Sequence, residues 1–197
     1  MPTQHERREK TRAAALAAAR RLFGDRGFQA VSMDELAREA AIAKGGLYHH
    51  FPTKEDLFEA VLRETSATIA TTIAERVSLE GAAVDAVLEG IRIFMDACGE
   101  RPVRTILIID GPSVIGHARW REIDAENFGG LARLGFEQAI AAGEIAPQPI
   151  DALVTLVLGA VTDAVLHAGE AADYNAATKA SLSVLEAMLR GLAPRHA

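Results

Sequence analysis

The fold is decided by residues 43–58, AKGGLYHHFPTKEDLF. Glycine costs about 1 kcal/mol relative to alanine in a helix interior, so two adjacent glycines need a reason. Pro52 ends the run that follows them, because proline lacks the N–H that a helix requires. Three explanations are open for a glycine pair beside His49-His50: a loop that cradles phosphate, a histidine metal or catalytic site, or a short helix lying against a large partner.

The preceding residues predict two more short helices. Residues 6–23 carry apolar side chains at helical spacing. Ser32 and Glu35 have the spacing of a capping box, which predicts a second helix that ends near residue 40. A third helix is predicted from about residue 44 to 51. Only three or four residues separate these two helices, as in a helix-turn-helix, whose second helix enters the major groove of DNA.

The rest of the chain is predicted to be helical as well. TILIID at 105–110 is β-like, but an isolated strand has nothing to pair with. We therefore expect an all-α protein of about nine helices. Beyond a long helix that starts at Thr53 and runs to about residue 77, the patterns favour helices at 82–98, 101–109, 117–141, 150–169 and 176–192.

Charge is distributed unevenly along the chain. The net charge is −6, yet residues 1–54 hold ten Lys/Arg against six Asp/Glu, and residues 55–197 hold eleven against twenty-one. A basic end on an acidic body favours contact with a polyanion at that end, although a solvated charged face gives the same pattern.

Composition limits the class of protein. Hydrophobic residues make up 49 % of the 197 residues, which is enough for a sizeable core. Cys98 is the only cysteine, which excludes a disulfide framework within one chain and favours a reducing cytoplasm. The charged N-terminus is not followed by an apolar segment, so we expect no secretory signal. The longest apolar run, 152–161, is too short to span a bilayer, so we expect no membrane association.

Catalytic and metal sites find no support in the motifs. His49 and His50 are adjacent, and adjacent helical side chains diverge by about 100° with no acidic or cysteine partner nearby. The order of a Walker phosphate loop is absent, as are G-x-S-x-G and H-E-x-x-H. We expect no metal, no cofactor and no enzymatic activity.

Residues 33–62, MDELAREAAIAKGGLYHHFPTKEDLFEAVL, resemble the DNA-binding segment of TetR-family transcriptional regulators. Many positions agree at fixed spacing, including Gly45-Gly46-Leu47-Tyr48-His49-His50-Phe51. The likeness covers about residues 8–62; the remainder is similar only in being helical and of suitable length. It implies a three-helix helix-turn-helix DNA-binding domain at 1–54 and a larger helical effector-binding and dimerisation domain at 55–197.

The resemblance also implies roles for single residues. Ser32, Tyr48, His49 and Lys54 would contact phosphate, and Lys44 a base or phosphate. Few side chains of the third helix can read bases directly, so specificity is expected to depend on DNA shape and on residues of the second helix such as Met33. With the two glycines for close approach, the expected DNA-binding set is Ser32, Met33, Lys44, Gly45, Gly46, Tyr48, His49 and Lys54. Two positions depart from the family: Ala41 replaces the turn glycine, at a cost of about 1–2 kcal/mol if the turn is left-handed, and Ala43 replaces the serine cap, at about 1 kcal/mol.

Effector candidates are polar or aromatic residues that interrupt apolar helices, and each is equally compatible with a helix surface or a satisfied core position. A mixed lining of this kind suits a small apolar or amphipathic effector. Phe94, Phe128 and Phe136 lie in the same region. The candidates are Met95, Arg104, Asp110, His117, Trp120, Asp124, Asn127, Asp163 and His167.

The helix at 150–169 is apolar nearly all round, which predicts burial on both faces, one of them against a second subunit. A monomeric bundle with a thick core is the alternative. Two helices from each chain would build the interface of a homodimer, with contacts from Leu153, Leu156, Val157, Ala160, Leu182, Leu185 and Leu189.

Together these features predict a sequence-specific transcriptional regulator, a repressor that a small-molecule effector releases from an inverted-repeat DNA operator. Two other interpretations stay open. One is a DNA-binding protein without a small-molecule effector, which is either constitutive or controlled by a partner protein. The other is a small helical binding protein or enzyme whose basic end is incidental.

Overall fold

The computed structural model describes residues 3–78 and 80–194, and within these ranges it contains nine helices and no strand. This confirms the all-α prediction. Two of the helices contain a π-helical stretch, Thr105–Asp110 in α6 and Ala125–Gly129 in α7. The helices are α1 Gln4–Arg26, α2 Met33–Glu39, α3 Lys44–His50, α4 Lys54–Arg76, α5 Ala83–Gly99, α6 at 101–115, α7 at 117–141, α8 Ile150–Glu170 and α9 Tyr174–Arg190.

The chain forms two compact units. The N-terminal unit comprises Met1–Thr65 and Arg101–Trp120, and the C-terminal unit comprises Ser66–Glu100 and Arg121–Ala197. α6 therefore belongs to the N-terminal unit although it follows α5 in sequence. The functional boundary predicted between residues 54 and 55 concerns DNA and effector binding and stays a prediction.

The core of the N-terminal unit is built around three phenylalanines. The ring centroids of Phe23, Phe28 and Phe58 lie 5.3–5.6 Å apart, and two of the three pairs meet edge to face. Leu36 of α2 and Leu47 of α3 are also fully buried in this unit, where α1, α2 and α3 pack on one another. Burying each such side chain contributes roughly 1.5–3 kcal/mol, so this core fixes α2 and α3 on α1.

α6 packs closely on α1 inside the N-terminal unit. A Cβ atom added to Gly24 would come within 2.6 Å of Cβ of Pro102, so only glycine allows this approach. The indole N–H of Trp120 donates to the backbone oxygen of Leu107 at 2.7 Å. The run TILIID is thus helical, as predicted, but the helix continues beyond the predicted end at residue 109 to residue 115, and the run adopts π geometry.

In the C-terminal unit, α5 begins at a residue that offers no side-chain cap. Glu144 supplies one from a distant loop, because its carboxylate accepts the backbone N–H groups of Ala83 and Val84 at 2.8 and 2.9 Å. The phenol of Tyr174 at the start of α9 donates to the backbone oxygen of Met95 at 2.7 Å. These contacts tie the ends of α5 to the loop before α8 and to α9.

α8 buries one face only, through Val154, Val157, Val161 and Val165. The other face is open in the single chain, and its burial against a second subunit stays a prediction. The helix is 21 residues long, longer than the apolar run that defined it. By length and composition it is the one helix in 3–78 and 80–194 that could cross a membrane, a criterion that core helices of soluble proteins also meet.

Candidate nucleic-acid interface and ligand cavity

The turn between α2 and α3 keeps a left-handed residue without a glycine. Ala41 has φ of 53° and is the one non-glycine residue with positive φ in the described ranges. The backbone N–H of Ile42 donates to the oxygen of Ala37 at 3.0 Å and closes the turn. The turn is thus not reshaped, and Ala41 carries the steric cost of about 1–2 kcal/mol that the left-handed conformation imposes.

α3 begins without a cap and with two glycines on its first turn. Ala43 at the N-cap makes no side-chain hydrogen bond. A Cβ atom on Gly45 or on Gly46 would meet nothing within 4 Å, and neither residue has positive φ. Neither packing nor backbone conformation inside this chain requires glycine there. Their role in close approach to DNA stays a prediction.

The surface of α3 is polar and aromatic. Leu47 faces inward and is fully buried, while Tyr48 and His49 are exposed. His50 is half-buried; burial lowers its pKa, and the charges of Arg8, His49 and Arg12 lower it further. The neutral form of His50 is thereby favoured. Tyr48 and His49 are the two exposed residues on this part of α3.

Lys44 is positioned by an acidic residue of α2. Its Nζ lies 2.6 Å from Oδ1 of Asp34, and this hydrogen bond raises the pKa of Lys44. The same ammonium lies 6.0 Å from the ring centroid of Tyr48. Both members of the ion pair are exposed to solvent. Lys44 is therefore held at the surface of α3, and a phosphate or base would compete with Asp34 for it.

Ser32 acts as the predicted cap of α2. Its hydroxyl accepts the backbone N–H of Glu35 at 3.3 Å, and the Glu35 carboxylate accepts the backbone N–H of Ser32 at 2.9 Å. Hydrogen bonds from the Ser32 backbone and hydroxyl, together with one from Arg26, lower the pKa of Glu35 to about 2. Ser32 is exposed. Its neighbour Met33 is only 8 % exposed and offers DNA almost no surface.

Lys54 serves the fold of the N-terminal unit. Its Nζ donates to the backbone oxygens of Phe28 at 3.0 Å and Val31 at 2.9 Å, and it lies 4.0 Å from the centroid of the Phe28 ring. The ammonium thus caps the loop between α1 and α2 and has one N–H left for a phosphate. The resemblance alone gave no sign of this structural role.

The C-terminal unit contains a cavity of about 310 Å³. Its walls come from the end of α4 and from α5, α7 and α8, and they are apolar except at Asp124, Gln138 and Thr162. The rings of Phe94 and Phe128 meet in the wall, with centroids 4.9 Å apart. The lining residues are Ile73, Ala74, Val77, Ala86, Val87, Gly90, Ile91, Phe94, Asp124, Phe128, Leu131, Ala132, Leu134, Gly135, Gln138, Val157, Leu158, Val161 and Thr162.

Of the nine effector candidates from the sequence, only Asp124 lines this cavity. Arg104, Asp110, His117 and Trp120 belong to the N-terminal unit. In the C-terminal unit Met95 is buried elsewhere, and the Asn127 amide donates to the backbone oxygen of Ile123 at 2.8 Å. Asp163 and His167 are exposed. Sequence reasoning missed the apolar lining because an apolar side chain that faces a void looks the same as one that packs against a neighbour.

Asp124 is the charged group in the cavity wall. Its side chain is 11 % exposed, and Nη1 of Arg121 lies 4.0 Å from its Oδ2. Burial in the apolar wall raises the pKa of Asp124 to about 6, against a smaller lowering by Arg121. The hydroxyl of Thr162 is already committed to the backbone oxygen of Leu158 at 2.9 Å. Asp124 is thus the strongest acceptor that the wall presents.

The predicted dimer residues divide between two faces. Val157, Leu185 and Leu189 are buried inside the chain, and Leu153 and Leu182 are half-buried. Leu156 is 72 % exposed, and Ala160 is exposed beside it on α8. Two apolar residues of α9 that were not predicted, Val184 and Met188, are 60 % and 62 % exposed. Leu156 and Ala160 lie one turn apart on α8, and Val184 and Met188 lie one turn apart on α9, so each helix carries an exposed apolar face.

Comparisons with known proteins agree with this architecture. The family model for bacterial regulatory proteins of the tetR family matches residues 15–61, and that for the tetracyclin repressor-like C-terminal domain matches 84–192. The transcriptional regulator UidR of Escherichia coli K12 is 30 % identical over 190 residues, which cover 93 % of each chain.

Solved structures show the same fold. A TetR-family regulator from Pectobacterium atrosepticum superposes with a TM-score of 0.80 at 27 % identity and full coverage of both chains. RolR in complex with resorcinol gives 0.73 at 22 % identity, covering 98 % of this chain and 97 % of that one. The protein therefore belongs to the TetR family and is a DNA-binding transcriptional regulator.

Proposed function

We propose that the protein is a homodimeric repressor that binds an inverted-repeat operator through α3 and is released by a small molecule bound in the C-terminal cavity. The observation that carries the DNA-binding part is the open space around Gly45 and Gly46. Each glycine weakens α3 in the free protein, by about 1 kcal/mol at an interior helix position. Close approach of the DNA backbone is the benefit that offsets this cost.

The proposed DNA-binding surface consists of Ser32, Lys44, Gly45, Gly46, Tyr48 and His49. The hydroxyl of Tyr48 and the imidazole of His49 suit phosphate contacts, which fix register without reading sequence. Lys44 is the residue with the reach to contact a base edge. Met33 is left out because it is buried, and Lys54 supports the surface by holding the loop before α2.

The exposed apolar faces of α8 and α9 support the dimer. A monomer would leave Leu156, Val184 and Met188 largely exposed to water. Burial of apolar surface contributes roughly 25 cal/mol per Å², so covering these side chains would stabilise a dimer. A helix-turn-helix protein also needs two half-sites for useful affinity, and a two-fold axis makes the operator an inverted repeat. We expect the dimer to act in the cytoplasm, because its proposed target is DNA.

The cavity supports control by an effector. Its volume of about 310 Å³ is at the lower end of the range of about 300–1,000 Å³ for ligand pockets. RolR, which shares the fold, was solved with resorcinol. A ligand that prefers a conformation with low affinity for DNA releases the operator by linkage, and DNA weakens ligand binding by the same factor.

Selection of bound DNA from a random pool tests this proposal, followed by ultracentrifugation at micromolar concentration. An inverted repeat bound by a dimer is expected. Met188→Glu should give a monomer with weak operator affinity, while Ile109→Glu, at an exposed apolar position of α6, should leave the dimer intact. A single unrepeated half-site bound by a wild-type monomer would refute the dimeric mechanism.

A further inference from the structure

We infer that the C-terminal cavity selects a small, mostly apolar molecule that presents one N–H or O–H donor to the carboxylate of Asp124, and that it discriminates against anions. This inference rests on the proposed effector role of the cavity and specifies its ligand. The donor can be an ammonium or a hydroxyl group, because both donate a hydrogen bond to a carboxylate.

The lining sets the apolar part of the ligand. Sixteen of its nineteen residues are apolar or glycine. The rings of Phe94 and Phe128 stand edge to face, with an interplanar angle of 73°. A flat aromatic or alicyclic body fills such a space and gains from burial of its apolar surface. A strongly polar molecule would lose its hydration without replacement.

Asp124 supplies the polar anchor because its carboxylate has an ion-pair partner in Arg121 but accepts no hydrogen bond from the described residues. Within 3–78 and 80–194 no hydrogen bond to this carboxylate is found, and the distance of 4.0 Å to Arg121 is too long for one. No buried side-chain oxygen or nitrogen in these ranges lacks a partner. The Asp124 oxygens, which accept no hydrogen bond, are therefore not fully enclosed, and the residue itself lines the cavity.

The other polar residues of the wall are weaker acceptors. The Thr162 hydroxyl donates to the backbone oxygen of Leu158 and keeps only neutral lone pairs, and Gln138, also neutral, lies at an exposed position. Arg121 is not part of the lining, so no cation faces the ligand to hold an anionic group. An anion would meet the Asp124 charge in an apolar surrounding, where like charges repel most strongly. A donor instead forms a charge-assisted hydrogen bond.

The π-helical stretch of α7 strengthens the assignment. It spans Ala125–Gly129, directly after Asp124, and it contains Phe128 of the wall. Single π turns inside α-helices often occur at functional sites, because the added residue re-aims the side chains around it. Here the irregularity coincides with the only acidic residue of the lining and with one of its two aromatic rings.

Four naphthalenes of similar size test the inference: 2-naphthylmethylamine, 2-naphthylmethanol, 2-ethylnaphthalene and 2-naphthoate. Binding is measured on the DNA-free protein at pH 7.5 by calorimetry or fluorescence. The amine and the alcohol are expected to bind at least tenfold more tightly than the hydrocarbon and the anion. Asp124→Asn should lower the affinity for the amine at least tenfold and leave the affinity for 2-ethylnaphthalene unchanged. Thr162→Val, in the same wall, should leave the order of the four probes unaltered.

Tightest binding of 2-naphthoate, equal binding of all four probes, binding of none of them, or an unchanged amine affinity in Asp124→Asn would each overturn the inference. The relative affinities of the amine and the alcohol show which donor the site prefers. Because the measurement contains no DNA, these outcomes leave operator binding untouched. Failure of the proposed function would appear separately, as an operator that no ligand releases.

Discussion

The carboxylate of Asp110 accepts a hydrogen bond from the backbone N–H of Phe28, with 2.7 Å between Oδ2 and N. This bond joins α6 to the loop that follows α1. Both residues belong to the N-terminal unit, so Asp110 serves the packing of α6 and does not line the ligand cavity. The polar residue that interrupts the apolar run at 105–110 is thereby explained.

Asp110→Ala is expected to lower the free energy of unfolding by about 1.5–3 kcal/mol, the range for a hydrogen bond to a charged group. Asp110→Asn keeps an acceptor oxygen, so its free energy of unfolding should fall by less. Urea denaturation followed by circular dichroism measures both. An Asp110→Ala variant with wild-type stability would show that the backbone of Phe28 is satisfied without this carboxylate.

Gly45→Ala and Gly46→Ala are expected to stabilise the protein while they weaken operator binding. Alanine adds about 0.5–1 kcal/mol to a helix relative to glycine, and each new methyl group points into space that DNA would occupy. Gly130→Ala is the matched control, because Gly130 lies in α7 with nothing within 4 Å of an added Cβ. The control should gain stability and keep full DNA affinity. Unchanged operator affinity in both α3 variants would remove these glycines from the interface.

Ala41→Gly should raise the free energy of unfolding by about 0.5–1 kcal/mol. Relief of the left-handed strain, about 1–2 kcal/mol, exceeds the extra chain entropy that glycine brings to the unfolded state, about 0.4–1 kcal/mol. Ala40→Gly is the control, since Ala40 has right-handed helical geometry with φ of −75°. Thermal melts should move upward for the first variant and downward for the second. The same sign for both would contradict the strain at Ala41.

The N-terminal helices and the positions that depart from the family could be predicted because local chemistry decides them. Capping at Ser32 and the stop at Pro52 depend on neighbours a few residues away, whereas the turn at Ala41 was expected only from the family resemblance. The roles of Asp110, Trp120 and Lys54 could not be predicted, because their partners lie between 13 and 82 residues distant in the chain. The cavity escaped prediction for the same reason, since its walls come from four helices.

We expect Lys54→Met to affect mainly the stability of the fold and Lys44→Met to affect mainly DNA binding. Loss of the Lys54 hydrogen bonds to the oxygens of Phe28 and Val31 should lower stability by about 1–3 kcal/mol. Lys44→Met should leave stability nearly unchanged, because an exposed ion pair contributes only about 0–1 kcal/mol. If Lys44 meets phosphate, its loss reduces the salt slope of operator binding by about one unit. Chemical denaturation and salt titrations measure the two effects, and a reversal of the two results would restore the phosphate role of Lys54.

Asp124→Asn should remove a destabilising contribution that grows as pH rises from about 4 to 6. The pKa of Asp124 is raised by burial from 3.8 to about 6, so the folded state binds this proton more tightly than the unfolded state. The contribution of Asp124 to wild-type stability therefore falls as pH rises through this window, by up to about 3 kcal/mol at about 1.4 kcal/mol per pKa unit. The variant lacks the titrating group and should be more stable than wild type at pH 7.5 and similar at pH 4. Carboxyls such as Glu35, whose pKa is lowered to about 2, act in the opposite direction but are common to both proteins. The difference between the two denaturation series thus isolates Asp124, and a difference that does not change with pH would mean that its carboxylate is well solvated in the folded protein.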